Sequence, residues 1–207
     1  MTKEYKFTND WFANNQPIWE ELFVNIKPEK ILEVGSFEGA ATCYMIDKYA
    51  CNNQELEIHC LDTWEGGIEH RDLGVDMLSV ESRFDYNIKL CTADKSNVLV
   101  YKHKEFSYFG LAKLIAQGKK NYFDFIYIDG SHQAADVLCD AVLGFHLLKV
   151  GGYMVFDDYL WSEDLPNGID IIRCPKPAID AFTSLNFRKL KILIAPLYQL
   201  YLQKISD

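Results

Sequence analysis

The sequence predicts an α/β fold: a doubly wound, mostly parallel sheet with helices on both faces and an antiparallel strand at its C-terminal end. Three observations predict it. Short apolar runs alternate with stretches of helical periodicity, the pattern of successive βαβ units. Several of those runs end on a glycine or an acidic residue, where an open parallel sheet gathers its ligands. The last two apolar runs have no helix between them, only Ala195 and Pro196, so they pair antiparallel.

The elements follow in order. Residues 11–26 set Trp11, Phe12, Ile18, Trp19, Leu22, Phe23 and Ile26 at helical spacing, with Pro17 as a break or helix start. KILEV (30–34) is the first strand, and residues 40–49 resume helical periodicity. EIHCL (57–61) is the second strand and ends at Asp62. Residues 64–89 carry Gly66, Gly67 and a helical DMLSVESRF. A third strand at 97–101 precedes a helix at 109–117, and FDFIYI (123–128) precedes a helix at 134–148. After Gly151 and Gly152 comes a fifth strand at 153–156. A short helix around 178–185 leads to the closing strands 189–194 and 197–203, which makes seven strands in a Rossmann-like arrangement.

Composition narrows the class. A chain of 207 residues is expected to form one domain, 1–207, with 1–29 as a helical lead-in. The net charge of −9 disfavours nucleic acid as a partner, because phosphate binding relies on a basic surface. Lys102, His103 and Lys104, and the run from Arg188 to Lys191, read as solvated strand edges. No apolar run approaches the ~20 residues that span a bilayer, and MTKEYKFTND lacks a signal-peptide core. The six cysteines (Cys43, Cys51, Cys60, Cys91, Cys139, Cys174) are scattered, with no C-x-x-C pair and no zinc-ligand spacing. A reduced, cytoplasmic protein is expected.

The candidate ligand site begins with LEVGSFEGAAT (32–42), a strand entering a G-x-x-x-G turn and then a helix. Gly35 permits chain reversal and Gly39 lets a ligand approach the helix N-terminus. A dinucleotide site would carry G-x-G-x-x-G, and Phe37 stands at its middle glycine, so an NAD-type oxidoreductase is the disfavoured alternative. Asp62 can accept both hydroxyls of a ribose or serve as a turn residue. At the other end, GGYMVFDDYLW (151–161) sets Asp157 and Asp158 side by side among aromatics, one strand beyond IDGSH (128–132). Asp157 and Asp158 are either turn caps or, with Asp129, an oxygen-rich site for a hard cation such as Mg²⁺. His132 is either a polar cap or a general base.

The ordered set LEVGSFEG, LDTWEGG, IDGSH and GGYMVFDDY resembles the class I S-adenosyl-L-methionine-dependent methyltransferases. The match is to their small-molecule O-methyltransferases, of the macrocin (sugar) type and a broad group of uncharacterised bacterial enzymes. That resemblance implies that Glu33, Gly35, Ser36 and Gly39 face the methionine part of the cofactor, Asp62 the ribose, and Thr63 and Trp64 the adenosine. It implies that Asp129, Asp157 and Asp158 hold Mg²⁺ and that Asp129 or His132 removes the acceptor's proton. The expected acceptor is a small hydroxylated molecule, with no nucleic acid and no membrane. N-methylation of bases is disfavoured because IDGSH replaces the N-P-P-Y or D-P-P-Y of those enzymes. The lead-in and residues 64–89 and 159–175 are expected to serve substrate recognition, with a lid or a homo-oligomer contact as alternatives and their aromatics reading equally as core. A non-catalytic cofactor-binding module is the other alternative.

Overall fold

The computed structural model describes residues 3–50, 54–72 and 74–207; Cys51 lies outside them. Seven strands form one sheet: β1 (Lys30–Val34), β2 (Leu56–Asp62), β3 (Val98–Lys104), β4 (Phe123–Ile128), β5 (Leu148–Phe156), β6 (Leu190–Ile192) and β7 (Leu200–Lys204). Their order is β3-β2-β1-β4-β5-β7-β6. The first five run parallel, and β7 is antiparallel to both β5 and β6. The strand order reverses between β1 and β4, the crevice where sheets of this kind bind ligands.

Two helical layers cover the sheet. On one face lie α1 (Gln16–Leu22), α2 (Ala40–Tyr49) and α4 (Val80–Thr92), the last preceded by the short α3 (Ile68–Asp72). On the other lie α5 (Ser107–Ala116), α6 (Ala134–Leu147) and α7 (Lys176–Leu185). Strand alternation divides the core: Phe125 and Tyr127 of β4 pack toward α1 and α2, Ile126 and Ile128 toward α6. Trp19 of α1 is fully buried, its ring edge-on to Phe125 at 5.2 Å and Tyr127 at 5.0 Å. Withdrawing the ~200 Å² of such a ring from water is worth roughly 5 kcal/mol, which clamps the lead-in to the sheet.

Several boundaries differ from expectation; β3 runs on to Lys104 and α4 starts at Val80 and ends at Thr92. The lead-in is helical only over Gln16–Leu22, with Pro17 in its first turn, because proline lacks the N–H that an earlier start would need. Strand β5 begins at Leu148 rather than after the glycines. A register shift between Phe123 and Phe125 absorbs the irregularity, and Gly152 packs where a Cβ would lie 2.9 Å from the Asp124 carbonyl. β6 and β7 are antiparallel as expected, yet residues 193–199 form a loop between them instead of a tight turn. Among the described residues, no helix is long and apolar enough to cross a membrane, and the cysteines are free thiols.

Candidate active site

The loop after β1 is shaped by backbone constraints. Gly35 has φ +84° and donates its N–H to the Leu61 carbonyl at 2.8 Å. A Cβ there would meet the Asp129 carbonyl oxygen at 1.9 Å, so only glycine lets the β1 turn pass the end of β4. Gly39, φ +81°, precedes α2 with the Phe84 ring 3.1 Å from where a Cβ would be. Glu33 is buried beneath this loop; Oε2 accepts from Ser36 Oγ at 2.7 Å and from the Thr42 hydroxyl. Burial pushes its carboxyl up to about 7, against the pull of the Thr42 and Ser36 hydrogen bonds.

Asp62, at the end of β2, fastens the same loop. Its Oδ2 accepts the N–H groups of Ser36 and Phe37, both at 2.8 Å, and its Oδ1 accepts that of Trp64 at 2.7 Å. Thr63 turns its hydroxyl to the N–H of Glu65 at 3.2 Å. Trp64 is buried, its ring 4.9 Å from Phe84 and its indole N–H donating to the Phe37 carbonyl at 2.8 Å. Asp62 and Trp64 therefore carry structural bonds of their own at the mouth of the crevice.

The N-terminal segment closes one side. A pocket open to solvent lies between Glu33, Gly35, Ser36 and Phe37 of the loop and Phe7, Trp11 and Phe12 of the lead-in, and Asp129 also lines it. Glu38, 2% exposed, holds the lead-in in place by accepting from Thr8 and Arg83. Sequence reading missed Glu38, since a glutamate inside a glycine turn gives no sign that it binds a segment thirty residues upstream.

Asp129, Asp157 and Asp158 converge. The ladder continues past the strands, Asp129 N–H to Val34 O at 2.8 Å and Asp157 N–H to Ile128 O at 2.9 Å, which sets the two strand ends level. One carboxylate oxygen from each of the three lies within 4.8 Å of the others. Burial, then the charges of Asp157 and Asp158, pushes the Asp129 carboxyl well above its usual range. Burial and Asp158 raise Asp157 to about 6. Three adjacent carboxylates in mutual repulsion, all oxygen donors, fit a hard divalent cation.

Asp157 and Asp158 are held differently. Asp157 accepts the Tyr127 hydroxyl on Oδ2 and the Asp158 N–H on Oδ1 at 2.9 Å. Asp158 sits at φ +55°, a conformation aspartate tolerates at local cost, and meets His132 Nε2 at 2.9 Å through Oδ2. The His132 ring packs against Trp161, 4.0 Å between centroids. A shallow cleft opens here, lined by Asp129, Ser131, His132, Asp157, Asp158 and Pro175. Asp129 borders both this cleft and the cavity under the lead-in.

The strand order, the glycine turn at the crevice and the acidic triad one strand away define a class I S-adenosylmethionine-dependent methyltransferase fold. The chain belongs to the family described as "Methyltransferase domain", whose model matches residues 32–159, more than half of its length. An uncharacterized protein, R132, of Acanthamoeba polyphaga mimivirus is 29% identical over 147 residues, 68% of this chain. The match spans 58% of that relative's own length. Among solved structures, the O-methyltransferase TomG of Streptomyces achromogenes, involved in tomaymycin synthesis and determined with SAM, superposes with TM-score 0.60 at 14% identity, covering 94% of this chain and 81% of its own. An O-methyltransferase of Bacillus cereus in complex with SAH gives 0.58 at 14% identity, covering 97% and 84%. MycE of the mycinamycin biosynthetic pathway, in complex with Mg and SAH, gives 0.53 at 19%, covering 99% and 52%. At these identities the likeness is one of fold.

Proposed function

We propose that the protein transfers the methyl group of S-adenosylmethionine to a hydroxyl of a small molecule, with a divalent cation such as Mg²⁺ held by Asp129, Asp157 and Asp158. The observation that carries this reading is the double role of Asp129, which borders both the cavity beneath the glycine turn and the cleft of the triad. A donor in the first and an acceptor in the second would meet at that residue.

In this reading Glu33, Gly35, Ser36 and Gly39 surround the methionine part of the cofactor, while Asp62, Thr63 and Trp64 serve the ribose and adenosine. Asp62 can take one ribose hydroxyl while keeping its loop bonds, on the second lone pair of Oδ1; both lone pairs of Oδ2 are taken by Ser36 and Phe37. A sulfonium methyl is already activated, so the protein's task is to align an oxygen with the S–CH₃ bond and to remove its proton. A cation held by Asp129, Asp157 and Asp158 would supply chelation of the acceptor and a lowered hydroxyl pKa. Asp129 takes the proton directly or His132 takes it, its ring fixed by Asp158 and Trp161. Trp161, packed on the His132 ring, would offer an aromatic face to a sugar or a ring. The net charge of −9 accords with a small-molecule acceptor rather than a nucleic acid.

The test is release of S-adenosylhomocysteine from S-adenosylmethionine over a panel of sugars and vicinal diols, with Mg²⁺ and with a chelator. Turnover that needs Mg²⁺ and disappears in Asp158→Ala supports the reading. Turnover indifferent to both removes the metal. Cofactor binding with no turnover on any acceptor favours a non-catalytic module.

A further inference from the structure

Behind the triad runs a buried chain of hydrogen bonds that begins at the N-terminal helix. Trp19 Nε1 donates to Gln199 Oε1 at 2.7 Å, and the Tyr201 hydroxyl donates to the same oxygen at 2.6 Å. Gln199 Nε2 donates to the Tyr127 hydroxyl at 3.3 Å, and Tyr127 donates to Asp157 Oδ2. Trp19, Tyr127 and Gln199 are 0% exposed and Tyr201 is 1% exposed, so water does not compete.

The donor and acceptor roles leave no freedom. An indole N–H only donates, so the Gln199 oxygen must face Trp19; a flipped amide would set donor against donor. That forces the Gln199 NH₂ toward Tyr127 and occupies a lone pair of the phenol. The phenol's own proton then has one destination, Asp157 Oδ2. With Oδ1 accepting the Asp158 N–H, both oxygens of Asp157 are oriented by donors, and Asp157 lines the cleft.

We propose that Gln199 is a positioning residue for the carboxylate triad, acting through Tyr127 to fix the direction in which Asp157 presents its oxygens to a divalent cation. This rests on the metal reading above. Gln199 does not line the cleft, though its amide also acts directly on Asp157. It lies at the end of the 193–199 loop, so the C-terminal hairpin and helix α1 both tune a site built on β4 and β5.

The experiment is calorimetric titration of the full chain with Mn²⁺, without cofactor, for the unsubstituted protein, Gln199→Glu, Tyr127→Phe and the double variant. Gln199→Glu keeps the shape but replaces the donor with an acceptor that draws the phenol proton away from Asp157. Each single variant is expected to bind Mn²⁺ about 10–100-fold more weakly, the usual scale for groups that orient metal ligands. The double variant is expected to lose less than the sum of the two single losses, because Gln199 acts mainly through that phenol. S-adenosylhomocysteine affinity should be unchanged, which a general loss of structure would not allow. Should Gln199→Glu not fold, Gln199→Met, which removes the amide donor to Tyr127, is expected to weaken Mn²⁺ binding in the same direction. Normal Mn²⁺ binding by a folded Gln199 variant, or additive losses in the double variant, overturns the positioning role alone. No Mn²⁺ binding by the unsubstituted protein overturns the metal reading and this role with it.

Discussion

Thr8 is bonded twice to the carboxylate of Glu38: its backbone N–H donates to Oε2 at 2.7 Å and its hydroxyl to Oε1 at 2.8 Å. Arg83 of α4 pairs with the same carboxylate, and Asn87 donates to both the Glu38 and Lys6 carbonyls at 2.9 and 3.1 Å. The cavity beneath the glycine turn is thus roofed by a segment latched to the turn itself.

Opening that latch should loosen the cofactor. Glu38→Ala removes charge-assisted hydrogen bonds worth about 1.5–3 kcal/mol each, so S-adenosylhomocysteine is expected to bind about tenfold more weakly or worse. Calorimetry measures the affinity, and proteolysis of the N-terminal segment should quicken in parallel. Unchanged affinity would mean that the lead-in does not enclose the ligand.

The crowded triad should make stability depend on both pH and metal. The Asp157 carboxyl stands at about 6 in the fold against 3.8 in the unfolded chain, so the folded state holds its proton more tightly. Stability from this group is therefore present at low pH and lost as pH rises from about 4 to about 6, at a cost on the order of 1–3 kcal/mol. Mg²⁺ is expected to raise Tm at pH 8 and to do little at pH 4. Asp157→Asn should raise the metal-free Tm at pH 8 and abolish the Mg²⁺ response. Thermal melts at the two pH values check both.

Gly35 should tolerate no side chain. Gly35→Ala adds a Cβ 1.9 Å from the Asp129 carbonyl at a φ of +84°. Clash and backbone strain together are expected to cost about 3 kcal/mol or more and to displace Asp129, lowering Tm and removing cofactor binding. A Gly35→Ala variant with native Tm and affinity would contradict the described loop.

Arg173 joins the two segments expected to serve the acceptor. Its Nη2 reaches Asp72 of α3 at 2.8 Å and Glu163 at 2.6 Å. Arg173→Ala should change stability by under about 1 kcal/mol, as partly exposed pairs do, yet raise the acceptor KM while leaving cofactor affinity intact. Steady-state kinetics on an identified acceptor separates these.

Much of the frame was legible because local signals agreed with tertiary ones. The strands at 30–34 and 123–128 and the helix at 40–49 lie within the bounds their apolar runs and glycines suggest. Residues 193–199 were not legible as a loop, since the apolar Ile194 and Leu197 read as strand while in the fold they are exposed. The triad was legible because adjacent parallel strands carry acids at the same end. The groups that orient it were not. Trp19 meets Gln199 across 180 positions of chain, and nothing local to either residue announces the other. Glu38 was hidden in the same way, as was the loop-fastening role of Asp62, which needs the β1 turn laid beside the end of β2.

One titration tests the central claim most directly: S-adenosylhomocysteine into the purified chain, followed by calorimetry, with Gly35→Ala as the control. A single saturable site, absent in the control, is the expected result. No heat of binding from folded, unsubstituted protein would contradict the assignment of the cavity between the glycine turn and the lead-in to S-adenosylmethionine.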